Sequence, residues 1–270
     1  MKTRIWVILI IALVCAAVVV FLTLNIKSKI TNLSERSESQ TELVNLAKSF
    51  EEKGNIKEAK ASYKQLIADF PGAQSVTAWQ KKVEDLNIKL LFSPVVTKEC
   101  VLYEVKPGDS LYKIAKQLGT TVELIKVSNN LKNDKIIVGK KIKVWNQPFN
   151  IYVSKSQNIL LLKSGDEVLK TYIVATGLNN STPVGTFKIT TKLANPTWFK
   201  AGAIVPPGSP ENILGTRWLG LEIASYGIHG TTDPSTLGQQ VTAGCVRMAN
   251  PDVEELYIII PSGTEVTIVD

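Results

Sequence analysis

Residues Ile5 to Ile26 read IWVILIIALVCAAVVVFLTLNI, 22 positions without a charge. At helical rise such a run extends roughly 33 Å, enough to cross the hydrocarbon core of a bilayer. A cleaved secretory signal is the competing reading. Its apolar stretch would be about 7 to 15 residues ending at a small-residue site, and this run is longer with no clean site. Segment 1–28 is therefore expected to be an uncleaved signal-anchor, with Cys15 as a small apolar filler inside it. Lys2 and Arg4 flank one side and Lys27 and Lys29 the other, so charge alone leaves the orientation open.

At 270 residues the chain is too long for one typical domain and its pieces are short, so two or three modules are expected, the first of them this apolar segment. Charge divides unevenly between them. Residues 1–149 carry 23 Lys and Arg against 14 Asp and Glu, whereas residues 150–270 carry 8 against 10. No nucleic-acid motif accompanies the basic half, so an anionic wall or membrane surface is the expected partner rather than nucleic acid. One histidine and three scattered cysteines give no paired ligand spacing for a metal. No glycine loop of the nucleotide-binding kind is present either, and the chemistry is expected to need no cofactor.

Segment 37–91 is helical in pattern. Leu43, Leu46, Ala47 and Phe50 fall on one face, Gly54-Asn55 interrupts, and Ala59, Tyr63, Leu66, Ile67 and Phe70 resume it. Pro71-Gly72 stops this second helix and a third is expected from Val76 to Leu90. The run Gly54-Asn55-Ile56-Lys57-Glu58-Ala59 with Tyr63, Leu66 and Pro71 resembles a tetratricopeptide-type hairpin. One such repeat leaves an apolar face unburied, so it implies a spacer or a docking site for a protein partner.

In segment 101–146, Tyr103 and Val105 alternate as a strand, Pro107-Gly108 turns, and Asp109 or Ser110 caps a helix carrying Leu111, Ile114 and Ala115. A second helix over Val122 to Ser128 and a strand over Ile142 to Val144 complete a βααβ unit. Tyr103-Glu104-Val105-Lys106-Pro107-Gly108-Asp109-Ser110-Leu111, with Gly119, Leu124, Asn129 and Val138-Gly139, resembles a lysin motif. The resemblance implies binding of N-acetylglucosamine-containing glycan through Gly108, Asp109, Ser110 and Leu111 and through Ile136 and Gly139. It would act as a tethered module that raises the local substrate concentration.

Segment 149–270 reads as closely spaced strands, at Asn150 to Val153, Ile159 to Leu162, Leu169 to Thr176, Gly185 to Thr191 and Val266 to Val269. Little helical period interrupts them, which points to a sandwich or barrel-like β fold. Leu193 to Pro210, rich in Pro, Gly and aromatics, is where a lid is expected, with Trp198 and Phe199 as packing or as a groove wall. The single histidine, His229, precedes Cys245 by sixteen residues. A thiol attacks as thiolate and needs a base or a positive neighbour, and His229 and Arg247 are the candidates. Backbone N–H groups near Gly244 and Cys245 are expected to meet a developing oxyanion.

Tyr226-Gly227-Ile228-His229-Gly230-Thr231, Leu237-Gly238 and Thr242-Ala243-Gly244-Cys245-Val246-Arg247-Met248 together resemble the signature of the L,D-transpeptidase catalytic domain. Thr182-Pro183-Val184-Gly185-Thr186-Phe187 is similar to that family's other recurrent segment. Where Thr242 and Ala243 stand, the family often has serine and histidine. The first change keeps the hydroxyl and the second bears on substrate handling. The resemblance implies acyl transfer within peptidoglycan, with Cys245 attacking a tetrapeptide stem and His229 moving the proton. Gly244, Arg247, Thr242, Gly230 and Thr231 are then the oxyanion and substrate residues.

A peptidoglycan enzyme needs its carboxy-terminal bulk outside the bacterial cytoplasmic membrane. Water as acceptor would make the same site a carboxypeptidase, and a protein amine would make it a wall-attachment enzyme. An inactive wall-binding scaffold is the alternative of another class. A Cys100–Cys245 disulfide is conceivable outside the cytoplasm but would mask the nucleophile, so free thiols are expected. The expected architecture is multi-domain α+β: a transmembrane helix, a helical hairpin, a βααβ module and a mainly-β catalytic domain.

Overall fold

The structure, a computed structural model, describes residues 35–200 and 202–270. The expected signal-anchor with Cys15 lies outside the described residues, among which no helix is long and apolar enough to cross a membrane. The chain divides into a unit up to Val83 and a unit Glu84–Asp270.

The first unit is helical. Helix α1 covers 35–52, α2 is Ile56–Asp69, and α3, Val76–Phe92, begins here and continues into the second unit. Gly54, at φ 72°, provides the left-handed turn between α1 and α2. Ala47, Ala59, Tyr63 and Leu66 are buried, as the i, i+3, i+4 pattern requires, and the Tyr63 hydroxyl donates to Glu51 Oε1 at 2.6 Å.

In the second unit, β1 (Cys100–Glu104), α4 (Leu111–Leu118), α5 (Val122–Ser128) and β2 (Lys141–Trp145) form the βααβ module. β1 and β2 pair antiparallel, with Cys100 opposite Trp145 and Glu104 opposite Lys141. Ser110 caps α4 by accepting from Lys113 N, and Thr121 caps α5 by accepting from Leu124 N.

The strands that follow are β3 (Phe149–Ser154), β4 (Ile159–Ser164), β5 (Glu167–Gly177), β6 (Gly185–Ala194), β7 (Trp198–Lys200), β8 (Ala203–Val205), β9 (Arg217–Leu221), β10 (Gly227–His229), β11 (Gln240–Thr242), β12 (Val246–Met248) and β13 (Glu265–Val269). Their order is β5-β12-β10-β9-β6-β13-β3-β4, and β4 pairs back onto β5, so eight strands close into a barrel. Closure is possible because β5 is eleven residues long. It pairs with β4 through Glu167 to Ile173, with β12 through Val174 and Ala175, and with β11 at its far end. Of sandwich and barrel, the strands choose the barrel.

A helix that the strand reading passed over, α6 (Asn250–Ile259), packs on β9 and β10. Its signals are a proline in the first turn and the three-residue spacing of Val253, Leu256 and Ile259, all buried. These join Ile151, Leu160, Leu162, Leu219, Ile228, Val246 and Ile268 in one core. Each such side chain contributes about 1.5–3 kcal/mol by leaving water.

The βααβ module is docked on the barrel. Leu124 of α5 belongs to the barrel's core cluster, and the Thr121 hydroxyl donates to Ile258 O of α6. From the other side, Ile88 and Leu91 of α3 enter the same core, and Asn87 Nδ2 donates to Leu169 O at 2.9 Å. The buried Lys143 of β2 ties helix and module together, its Nζ donating to Leu90 O at 2.6 Å and Ser93 O at 2.7 Å.

Candidate active site

Four neighbouring strands bring one row of side chains together. Leu193 of β6 stands opposite Trp218 of β9, Trp218 opposite His229 of β10, and His229 opposite Arg247 of β12. Register partners project to the same face of a sheet, so the row floors one side of the barrel wall. Cys245 lies just before β12. A cavity of about 440 Å³ is lined by this row together with Cys245, Thr242 and Ala243. The Trp218 and His229 rings stack at 5.9 Å and 20°.

The turn carrying Cys245 is held by one hydroxyl. Thr242 Oγ1 accepts from Gly244 N at 3.1 Å and donates to Cys245 O at 2.6 Å. Serine would serve equally, which explains why threonine is tolerated here. Gly244 sits at φ 131°, and a Cβ there would lie 2.7 Å from the Tyr226 ring and 3.2 Å from Ser181 O. The segment Thr182 to Phe187 begins behind this turn, where Thr182 Oγ1 accepts from Gly177 N at 2.7 Å. The Gly244 N–H, expected to meet an oxyanion, donates inside the turn to Thr242 Oγ1.

The Cys245 thiol donates to Ser225 O at 3.5 Å, and the Gly227 N–H points at the sulfur. Ser225 holds its carbonyl there at φ 70°, a left-handed conformation uncommon outside glycine and asparagine. Burial pushes the Cys245 thiol above its ordinary value, opposed by the Gly227 N–H and the Arg247 charge. Cys100 and Cys245 are both free thiols.

His229 is buried at the end of β10, and its Nδ1 lies 2.6 Å from Gly230 O. A carbonyl only accepts, so Nδ1 carries the proton and Nε2 is left as the basic nitrogen. Burial lowers the imidazole pKa to about 4, with the Gly230 carbonyl opposing and Arg247 reinforcing the shift. Both members of the pair are thus neutral at neutral pH.

Arg247 lines the cavity, and its Nη1 donates to Thr236 Oγ1 at 3.0 Å. It therefore braces the 233–236 turn while facing the cleft. Gly230 and Thr231, expected as substrate residues, are buried behind His229 and are not among the residues that line this cavity. The Thr231 hydroxyl is engaged with Asp233 N and O, and its N–H donates to Asn250 Oδ1 at 3.0 Å.

Three supports had no counterpart in the sequence reading. Asn250 holds the backbone behind His229. Lys155, buried, donates through Nζ to Thr182 O at 2.9 Å and pairs with Asp270 at 2.9 Å. Asn212, also buried, donates to Pro196 O and Pro206 O, pinning the base of the β7–β8 hairpin. That hairpin lies in the Leu193 to Pro210 stretch where a lid is expected, and both Trp198 and Phe199 line the cavity.

In the βααβ module, Gly108 and Gly139 take φ 81°, and Ser110 is spent on its cap. Asp109 accepts from Tyr103 and from Lys106 N. Leu111 is buried in the module core, out of reach of a glycan, while Ile136 packs against that core and is partly exposed. The exposed apolar residues of the second loop are Ile137 and Val138, one and two positions further on.

Comparison with known proteins agrees with this geometry. The YkuD-type L,D-transpeptidase catalytic domain matches residues 148–268 and the LysM domain matches residues 103–145. A Bacillus licheniformis protein named as an L,D-transpeptidase, YkuD, is 36% identical over 176 residues, covering 62% of this chain and 98% of that protein. The chain belongs to the L,D-transpeptidase family. The YkuD protein of Bacillus subtilis is 35% identical over 173 residues, covering 62% of this chain and 97% of its own. The cell wall-binding protein YocH of the same organism is 42% identical over 72 residues, 26% of this chain and 25% of its own.

Proposed function

We propose that this L,D-transpeptidase acts on peptidoglycan, using Cys245 as nucleophile and His229 as general base. The observation that carries the reading is that Cys245 and His229, the latter with its Nδ1 proton fixed on Gly230 O, line one cavity. The thiol proton passes to His229 Nε2 as the sulfur attacks the carbonyl between the L-centre of a tetrapeptide stem and its terminal D-alanine. The Cys245 N–H is the backbone donor we assign to the oxyanion, since that of Gly244 is engaged. The imidazolium then protonates the leaving D-alanine amine, giving a thioester. The side-chain amine of a second stem attacks the thioester, His229 accepts its proton and returns it to the sulfur, and a cross-link forms. Arg247 supplies the cleft's guanidinium for a substrate carboxylate.

The LysM module holds the glycan strand through the loops at Gly108 to Ser110 and at Ile137 to Gly139. Because it is docked on the barrel, it presents the strand at a fixed offset from the cleft. Residues 1–28 anchor the enzyme in the cytoplasmic membrane with the catalytic domain outside, and residues 37–91 are a helical spacer. Incubating the full chain with disaccharide tetrapeptide and separating the products tests the reading. Cross-linked dimers are expected. Tripeptide alone would make the enzyme a carboxypeptidase, and unchanged substrate would leave the scaffold alternative.

A further inference from the structure

Asn250 opens α6 and reaches across to two other segments. Its Oδ1 accepts from Thr216 N at 3.2 Å, just before β9, and from Thr231 N at 3.0 Å, two residues after His229. The approach is close enough to dictate the residues around it. A Cβ on Gly215 or on Gly230 would collide with Asn250 Oδ1, so both positions are closed to any side chain while that oxygen is in place. The Thr231 N–H belongs to the peptide unit immediately following Gly230, whose carbonyl accepts from His229 Nδ1.

We infer that Asn250 is a positioning residue for the imidazole: by fixing the Gly230–Thr231 peptide it aims the Gly230 carbonyl at Nδ1 and so keeps Nε2 as the base. The chain of contacts is short and directional. Without an acceptor on Thr231 N, the 230–231 peptide keeps only the anchors on either side of it, Gly230 N on Arg217 O and the Thr231 hydroxyl on Asp233, and loses the one that fixes its own plane. The imidazole then loses the one polar partner that distinguishes its two nitrogens. The charged and titratable groups around the ring are few. β12 presents Arg247, the loop before it the Cys245 thiol, and β9 the neutral Trp218. On α6, Glu254 is engaged with Arg217, and Glu255 with Tyr172 and Lys170.

The kinetic arm of the test rests on the transpeptidase reading; the spectroscopic arm does not. His229 is the chain's single histidine, so ¹⁵N-histidine labelling of the full chain gives one imidazole whose tautomer and titration are read directly by NMR. Wild type is expected to show the Nδ1–H tautomer alone. Asn250→Ala should give a mixture of tautomers and a fall in kcat on the order of 10²-fold with KM within about threefold, the scale expected for a misplaced catalytic group. Asn250→Asp keeps both acceptor contacts and adds a negative charge, so it should hold the single tautomer, recover most of kcat, and raise the midpoint of the imidazole titration.

An unchanged tautomer and kcat in folded Asn250→Ala would overturn the inference. If that variant fails to fold, an unmoved titration in Asn250→Asp would do the same. A wild type with the Nδ1–H tautomer but no turnover would overturn the transpeptidase reading and leave this inference standing.

Discussion

His229 and Arg247 are register partners on the parallel strands β10 and β12, so the proposed base carries a permanent cation as its lateral neighbour. The cation disfavours imidazolium and favours thiolate, whereas burial of both groups favours their neutral forms. For the imidazole the two effects add. For the thiol they oppose and burial wins. The resting forms are therefore thiol and imidazole, not thiolate and imidazolium, and in the proposed mechanism the proton moves only when substrate is attacked.

Alkylation reads this directly. Iodoacetamide labelling of Cys245, followed by peptide mapping, should be slow at pH 7 and rise about tenfold per pH unit up to pH 9. A rate that stays flat down to pH 5 would indicate a preformed ion pair and contradict the assignment.

The depressed imidazole also makes folding stability depend on pH. The unfolded chain binds a proton near pH 6.5, but folded His229 does so only at about 4. Its contribution is thus fully present above pH 6.5 and is lost as pH falls from 6.5 through 4, amounting to about 3 kcal/mol at the acid end. Denaturant melts of wild type and His229→Gln across that window should converge as pH falls. Curves that stay parallel would show that burial does not shift this group.

Gly244→Ala should abolish turnover and lower stability by about 1–3 kcal/mol, because an alanine at φ 131° is strained and its methyl meets the Tyr226 ring. Thermal melts with kcat determination check this. An active, equally stable variant would mean that the turn has another conformation available.

Thr121→Ala removes both the α5 cap and the hydroxyl bond to Ile258 O of α6. A loss of about 1 kcal/mol is expected. Amide exchange should quicken in α5 and in the last turn of α6 together, since the LysM module and the barrel share that bond. Exchange confined to α5 would argue that the module is held elsewhere.

What could be read in the sequence was local. The helix over Val122 to Ser128 follows from Thr121 and the apolar spacing that succeeds it, and alternation in Phe149, Ile151 and Val153 marks β3. Barrel closure was not legible, because it depends on β5 pairing with three different strands, one of them across a register shift at Leu162/Lys163. Cys245 and His229 were legible as residue types in a motif. The bond from the Gly244 N–H to Thr242 was not legible, because Thr242 looks like an ordinary polar residue until its hydroxyl is seen closing the turn. Asn250 and Lys155 act through backbone groups distant in sequence, which no spacing reveals. Leu111 was read as a ligand contact although its place after a capping serine is that of a core residue in a first helical turn.

The most direct test is intact-protein mass spectrometry of the full chain during reaction with disaccharide tetrapeptide, beside Cys245→Ala. The account predicts a transient adduct on wild type, equal to the stem minus D-alanine, that maps to Cys245 and is absent from the variant. The same adduct on Cys245→Ala, or turnover by that variant, would contradict it.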